Sequence, residues 1–194
     1  MLVYPLNALG DGQHKELSED TELTADHKPH GRVGSDMTSG KDRAYQTFWI
    51  RLMAQIHTRY PDWKTPGRPP ATNSMAFATA IGWFSYGTSF ARGRLRSELF
   101  IRVPHDAAAG QRILNAMQAR HEELEADYGK GLNYEFMSRT SPNRLACRVA
   151  DYRSGDIDQI GDHDEYLAWF LDSQSRLRGA VDHLGGLPWL RQRA

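Results

Sequence analysis

The stretch Leu95-Arg96-Ser97-Glu98-Leu99-Phe100-Ile101-Arg102-Val103 decides how the rest of the chain is read. Its odd positions, Leu95, Ser97, Leu99, Ile101 and Val103, are small or apolar; its even positions, Arg96, Glu98, Phe100 and Arg102, are long and mostly charged. A period of two marks a strand with one buried and one wet face, the usual pattern of an antiparallel sheet. Such a strand needs neighbours joined by short turns. Segments 75–81 and 83–91 supply two, with Gly82 breaking the first pair and Arg92-Gly93 turning the second, so three strands in a meander are expected.

Working outward, Asp106 opens a predicted helix to Tyr128 with Ile113, Leu114, Met117 and Leu124 as its core stripe, and Gly129 as its stop. Strands are expected over 132–137 and 144–152, joined by the polar turn 138–143. After a loop over 154–161, the spacing of Tyr166, Leu167, Phe170, Leu171, Leu177, Val181 and Leu184 predicts a long helix closed by Gly185 and Gly186. On the N-terminal side, Tyr45, Phe48, Trp49, Leu52, Met53 and Ile56 fall on one helical face, with Asp42 placed as the cap. Pro61 and the run Pro66-Gly67-Arg68-Pro69-Pro70 end that helix, because proline lacks the amide donor and restricts the residue before it. The expected fold is therefore α+β: an antiparallel sheet of about five strands with helices mainly on one face, in the order α-β-β-β-α-β-β-α. Residues 1–41, rich in Gly, Ser, Thr, Asp and His, are expected to be a flexible leader, and 42–194 a single domain.

The whole chain of 194 residues balances 24 Lys and Arg against 24 Asp and Glu, but the balance is uneven along it. Residues 1–41 hold four basic and seven acidic side chains (4 − 7 = −3), and 42–194 hold twenty and seventeen (20 − 17 = +3); eighteen of those twenty are arginine. Arginine presents a flat fork suited to carboxylate or phosphate, although a genome rich in Arg codons produces the same bias. The single cysteine, Cys147, excludes an internal disulfide and a cysteine-based zinc site. No apolar run is long enough to span a membrane and no basic, cleavable leader is evident, so a cytoplasmic location without membrane partners is expected.

Motifs for catalysis fail on context. His121-Glu122-Glu123-Leu124-Glu125 lacks the second histidine of a zinc-protease helix, and Gly82-Trp83-Phe84-Ser85-Tyr86-Gly87 has neither the spacing nor the setting of a nucleophile elbow. Phosphate-loop and dinucleotide fingerprints are missing from the sequence. His27 and His30 sit on the leader with no fixed carboxylate nearby. Asp156, Asp158, Asp162 and Asp164 read as caps and dipole partners of the last helix before they read as cation ligands. No cofactor and no metal are expected.

The sheet's charged face is the feature that points to binding. If Arg96, Glu98 and Arg102 share it with Arg144 and Arg148 of the last strand, four guanidinium groups and a carboxylate line one wall with Phe100 among them. Such a wall can grip phosphate, stack bases or receive an acidic partner; the alternative is a network of structural cross-strand ion pairs. Two other readings compete. One is a protein-interaction or homo-oligomerisation module using the Trp49 helix or the C-terminal segment with Leu187, Trp189 and Leu190. The other is an enzyme whose cleft brings Glu98, Glu135 and Arg148 together for acid and base work.

Several collinear pieces also carry a family resemblance: Phe48-Trp49, Arg68-Pro69-Pro70, Glu98-Leu99-Phe100-Ile101, Glu122-Glu123-Leu124-Glu125 with Tyr128-Gly129, then Leu132, Tyr134 and Glu135, Ala146-Cys147-Arg148-Val149, and Gly155-Asp156-Ile157. On these, residues 45–184 resemble a prokaryotic domain of unknown function, the family numbered 4268. In longer members the domain follows a region similar to a restriction-type nuclease, which implies nucleic-acid or defence work, either directly or beside a separately encoded nuclease. Trp49, Glu98 and Arg148 match recurrent family positions, but the resemblance implies no catalytic role for them. The leader is too short for such a nuclease. The acidic and lysine pieces that such chemistry needs, Pro61-Asp62 on a loop and Asp26-His27-Lys28 on the leader, stand in reversed order, so no nuclease activity is expected in this chain.

Overall fold

A computed structural model describes residues 40–137 and 146–194. Helix α1 (Gly40–Arg59) buries Phe48, Trp49, Leu52 and Ile56, the centre of the predicted stripe, with Tyr45 and Met53 packed at its edges. Each such side chain stabilises the fold by about 1.5–3 kcal/mol relative to an exposed one. The helix begins at Gly40, so Asp42 lies in its first turn, where a carboxylate complements the helix dipole. The remainder of the predicted leader lies outside the described residues.

Strands β1 (Ser74–Ala78), β2 (Phe84–Ala91) and β3 (Arg94–Ile101) form the expected meander. Arg92 (φ 53°) and Gly93 (φ 70°) are both left-handed, and Ala91 pairs with Arg94 across them, which is the two-residue hairpin geometry that follows the sheet's own twist. The chain then crosses through α2 (Ala107–Gln118) and α3 (His121–Tyr128) to β4 (Asn133–Met137) and β5 (Ala146–Ser154). All pairings are antiparallel, and the strand order is β1-β2-β3-β5-β4. A short 3-10 turn (Ile160–Asp162), α4 (His163–His183) and α5 (Gly186–Arg191) complete the chain.

Register sorts the side chains by parity. Phe84, Tyr86, Thr88 and Phe90 of β2, Leu95, Ser97, Leu99 and Ile101 of β3, and Cys147 and Val149 of β5 lie on the face that the helices cover. Phe48, Phe90 and Phe170 meet there at centroid separations of 4.9–6.0 Å. Ser97 faces the core without penalty because Gln174 of α4 donates to its Oγ (2.9 Å) and to the Gly87 carbonyl (2.8 Å). The result is two layers, with helices on one side of the sheet and its second face left for the charged residues.

Two predicted elements differ. The expected helix 106–128 is two helices, because Arg120 (φ −115°, ψ 27°) leaves helical geometry. Its guanidinium bonds Glu123 and the Leu184 carbonyl (3.1 Å) and lies 5.1 Å from the Trp189 ring, so tertiary contacts hold the break. The segment after Gly185 and Gly186 turns back as α5 and seats Leu190 in the core.

Candidate binding surface

The face turned away from the helices carries Arg94, Arg96, Glu98 and Phe100 of β3, Arg148, Ala150 and Tyr152 of β5, and Glu135 and Met137 of β4. Phe100 and Arg148 are direct cross-strand partners, as are Arg148 and Glu135. On the β2 side the wall is floored by Ser85, Gly87, Ser89 and Ala91. Glu98 leans across Gly87, so that a Cβ at 87 would stand 3.3 Å from Glu98 Oε1.

The charges are interlocked. Glu98 Oε2 accepts a hydrogen bond from Arg148 Nη1 (3.0 Å) and stands 3.1 Å from Arg96 Nε at ion-pair distance but without hydrogen-bond alignment. Arg148 Nε is 3.2 Å from Glu135 Oε2, and its Nη2 contacts Met137 Sδ. Tyr152 donates to Glu135 Oε1 at 2.5 Å, and Arg94 lies 4.6 Å from the Tyr152 ring. Burial and the neighbouring Glu135 both hold the Tyr152 phenol above its usual range. The wall thus sets Arg96, Glu98, Arg148, Glu135 and Tyr152 in a row in which two carboxylates alternate with two guanidinium groups and a phenol.

Of the residues expected here, the structure brings Arg96, Glu98, Phe100 and Arg148 together. Arg102 follows β3 instead of belonging to it, and its side chain is exposed, while its amide bonds the Trp83 carbonyl (2.8 Å). Arg144 lies outside the described residues. Arg94 and Tyr152 complete the wall, although sequence reasoning passed over them; their parity with Arg96 and Arg148 was the available signal.

The competing sites fare differently. Trp49 is fully buried and donates its indole N–H to the Thr72 carbonyl (2.8 Å), so it belongs to the core and not to a docking face. Leu190 is likewise buried, with Leu187 and Trp189 packed against the core. Glu98 and Glu135 do meet Arg148, but both carboxylates share that one cation. The acidic cluster before α4 is matched by cations of α1: Lys41 pairs with Asp158 (3.2 Å) and Asp156 (3.8 Å), and Arg51 with Asp164. Asp162, at the α4 N-terminus, makes no side-chain capping bond, contrary to the expectation for that cluster, and accepts instead from Tyr166 OH at 3.2 Å. His27 and His30 fall outside the described residues. Among the described residues no group of three or more His, Cys, Asp or Glu side chains is arranged to hold a metal ion, and no helix is long and apolar enough to cross a membrane.

This architecture defines a class: a two-layer α+β domain with one helix-covered sheet face and one ion-paired face on which no helix of the described residues packs. The chain belongs to the domain of unknown function family DUF4268, whose sequence profile matches residues 44–184. No curated protein matches it. Among solved structures it is similar to YbjN, a proposed transcription regulator from E. coli, at 8% identity and a TM-score of 0.30, over 69% of this chain and 93% of that one. A likeness that loose bears on neither fold nor function.

Proposed function

We propose that this is a non-catalytic binding domain whose charged sheet face receives an anionic strand, single-stranded nucleic acid being the ligand class that fits. The observation that carries this reading is the grouping of Arg94, Arg96 and Arg148 with the Phe100 and Tyr152 rings on the sheet face that no helix of the described residues covers. Guanidinium groups contact phosphates, and rings provide stacking platforms that tolerate any base. The carboxylates do not cancel the cations: three arginines face Glu98 and Glu135 (3 − 2 = +1), and exposed Arg102 adds to the excess. Work beside a separately encoded nuclease would be consistent with this surface. An acid–base role is less well supported, because Arg148 engages both carboxylates as ion-pair partners.

Titrating labelled oligothymidylate by fluorescence anisotropy at increasing salt tests the proposal. Affinity should fall steeply, with log Kobs changing by about −0.7 per phosphate contact for each unit of log salt. Arg102→Ala leaves the sheet intact and should make the slope shallower by about that one increment. A salt-independent signal, or no binding to single-stranded or duplex oligonucleotides, would remove the reading.

A further inference from the structure

We infer that the end of the sheet where β3 leaves it is a second contact region for nucleic-acid phosphates, held by Arg191 and Arg193, each seated over a tryptophan ring. The inference rests on the reading that the charged sheet face takes a single strand, and it extends the path of that strand past Arg102.

Three parts of the chain meet there. Phe84 pairs with Ile101, and just beyond that pair the Arg102 amide donates to the Trp83 carbonyl (2.8 Å), so the turn before β2 lies against the end of the charged wall. α5 and the residues after it supply the rest. The Arg191 Cζ stands 5.3 Å from the centre of the Trp83 ring, and the Arg193 Cζ 4.8 Å from that of Trp189, which also has Arg120 at 5.1 Å. Leu190, fully buried, anchors α5 between these seats. Both rings are half-buried, whereas Arg102, Arg191 and Arg193 are exposed, so their donors are open to a ligand.

A guanidinium stacked on a ring uses its flat face there and keeps its in-plane N–H donors for a second partner. Phosphate oxygens accept those donors two at a time. Stacking also removes in advance part of the rotamer freedom that a long exposed side chain loses on binding. The charges differ from those of the wall, where Arg96 and Arg148 are engaged by Glu98 and Glu135. Among the described residues, Arg102, Arg191 and Arg193 have no carboxylate at ion-pair distance, and only Arg120 is paired, with Glu123. Four cations against one acid leave an excess of three (4 − 1 = +3), larger than that of the wall. An acidic protein would use the same donors, but Arg102 makes this end continuous with a wall whose rings suit bases, which favours a nucleic-acid strand.

The test follows the indole N–H resonances of Trp83 and Trp189, assigned with Trp83→Phe and Trp189→Phe, while the full chain is titrated with an oligothymidylate of about 12 nucleotides, within the site sizes of single-strand binders. Both signals should shift saturably, with the same Kd that anisotropy gives, while the signal of fully buried Trp49 stays in place. The double variant Arg191→Ala with Arg193→Ala should weaken binding about 2- to 30-fold, the range for two exposed charge contacts, and make the salt slope shallower by about 1.4. The corresponding double lysine variant keeps the slope and loses part of the affinity, because lysine has no flat fork to stack. Circular dichroism confirms that the variants are folded; if one is not, the tryptophan shifts of the unaltered chain decide. Unmoved Trp83 and Trp189 signals, or an unchanged slope in the alanine variant, while anisotropy still reports binding, would overturn this contact region and leave the sheet-face reading standing. No binding of the oligonucleotide at all overturns both. Equal or larger shifts with polyglutamate of matching length would assign the region to an acidic protein and overturn the nucleic-acid assignment.

Discussion

Glu98 sits 8% exposed in the middle of a sheet and holds two guanidinium groups through a single oxygen. Removing its charge leaves Arg96 and Arg148 facing each other, with Glu135 the only remaining counter-ion in contact with Arg148 among the described residues. Glu98→Gln is therefore expected to destabilise the domain by about 2–3 kcal/mol, near the low end for a broken buried pair because the wall is partly wet. The double replacement Glu98→Leu with Arg148→Met should cost less than the sum of the single changes, since neither charge is then stranded. Urea denaturation of the four proteins measures this; additive effects would mean that the pair contributes nothing jointly. Alternation along 95–103 made Glu98 and its wet face legible in the sequence, and the parity of Arg148 was readable in the same way. What was not legible is the register that sets Phe100 opposite Arg148 and Arg148 opposite Glu135, because partner choice is fixed by strand order and not by local pattern. The seat of Arg191 was hidden for a related reason. Its ring, Trp83, comes from a turn far away in the chain.

Local chemistry explains most of the elements. Asp106 caps α2 through its Oδ1, which accepts the Ala109 amide at 2.8 Å, and Gly129 ends α3 at φ 91° with its own amide returning to the Glu125 carbonyl at 2.8 Å. Both signals stood in the sequence. The break at Arg120 did not, because neither proline nor glycine marks it and the residues that hold it, Leu184 and Trp189, come from the far end of the chain. The left-handed backbone at Gly129 leads to a direct expectation: Gly129→Ala should cost about 1–2 kcal/mol through the clash of a Cβ with the following carbonyl. The nearest outside atom, Arg176 Nη1 at 3.5 Å from that Cβ, leaves ordinary room, so the cost is conformational. An unchanged thermal midpoint in Gly129→Ala would show that α3 can end in another geometry.

At the scale of the whole molecule, the helix-covered core determines how stability responds to alkali. Cys147, Tyr86 and Tyr128 are 1%, 3% and 0% exposed, and burial raises the pKa of all three, Cys147 to about 11. Tyr128 is raised further because its hydroxyl donates to Asp151 Oδ2 at 2.5 Å, and a phenolate there would stand against a carboxylate. Each of these groups keeps its proton in the folded state at a pH where the unfolded chain has released it. Their contributions are therefore intact below about pH 9 and are lost as pH rises toward the folded-state values. Arg178, packed among the Trp63, Phe77 and Tyr86 rings, acts in the opposite sense: burial lowers its folded pKa to about 10, so above that pH the folded state binds fewer protons than the unfolded chain. Tyr134 and Tyr152 are raised as well, so the raised groups outnumber Arg178 and stability should fall above about pH 10, at up to about 1.4 kcal/mol per pH unit for each fully titrating group. Guanidinium denaturation at pH 8, 9.5 and 10.5 reads this directly. Tyr128→Phe removes one share and should flatten the decline; a profile level through pH 10.5 would mean that the core admits water to these hydroxyls well before it unfolds.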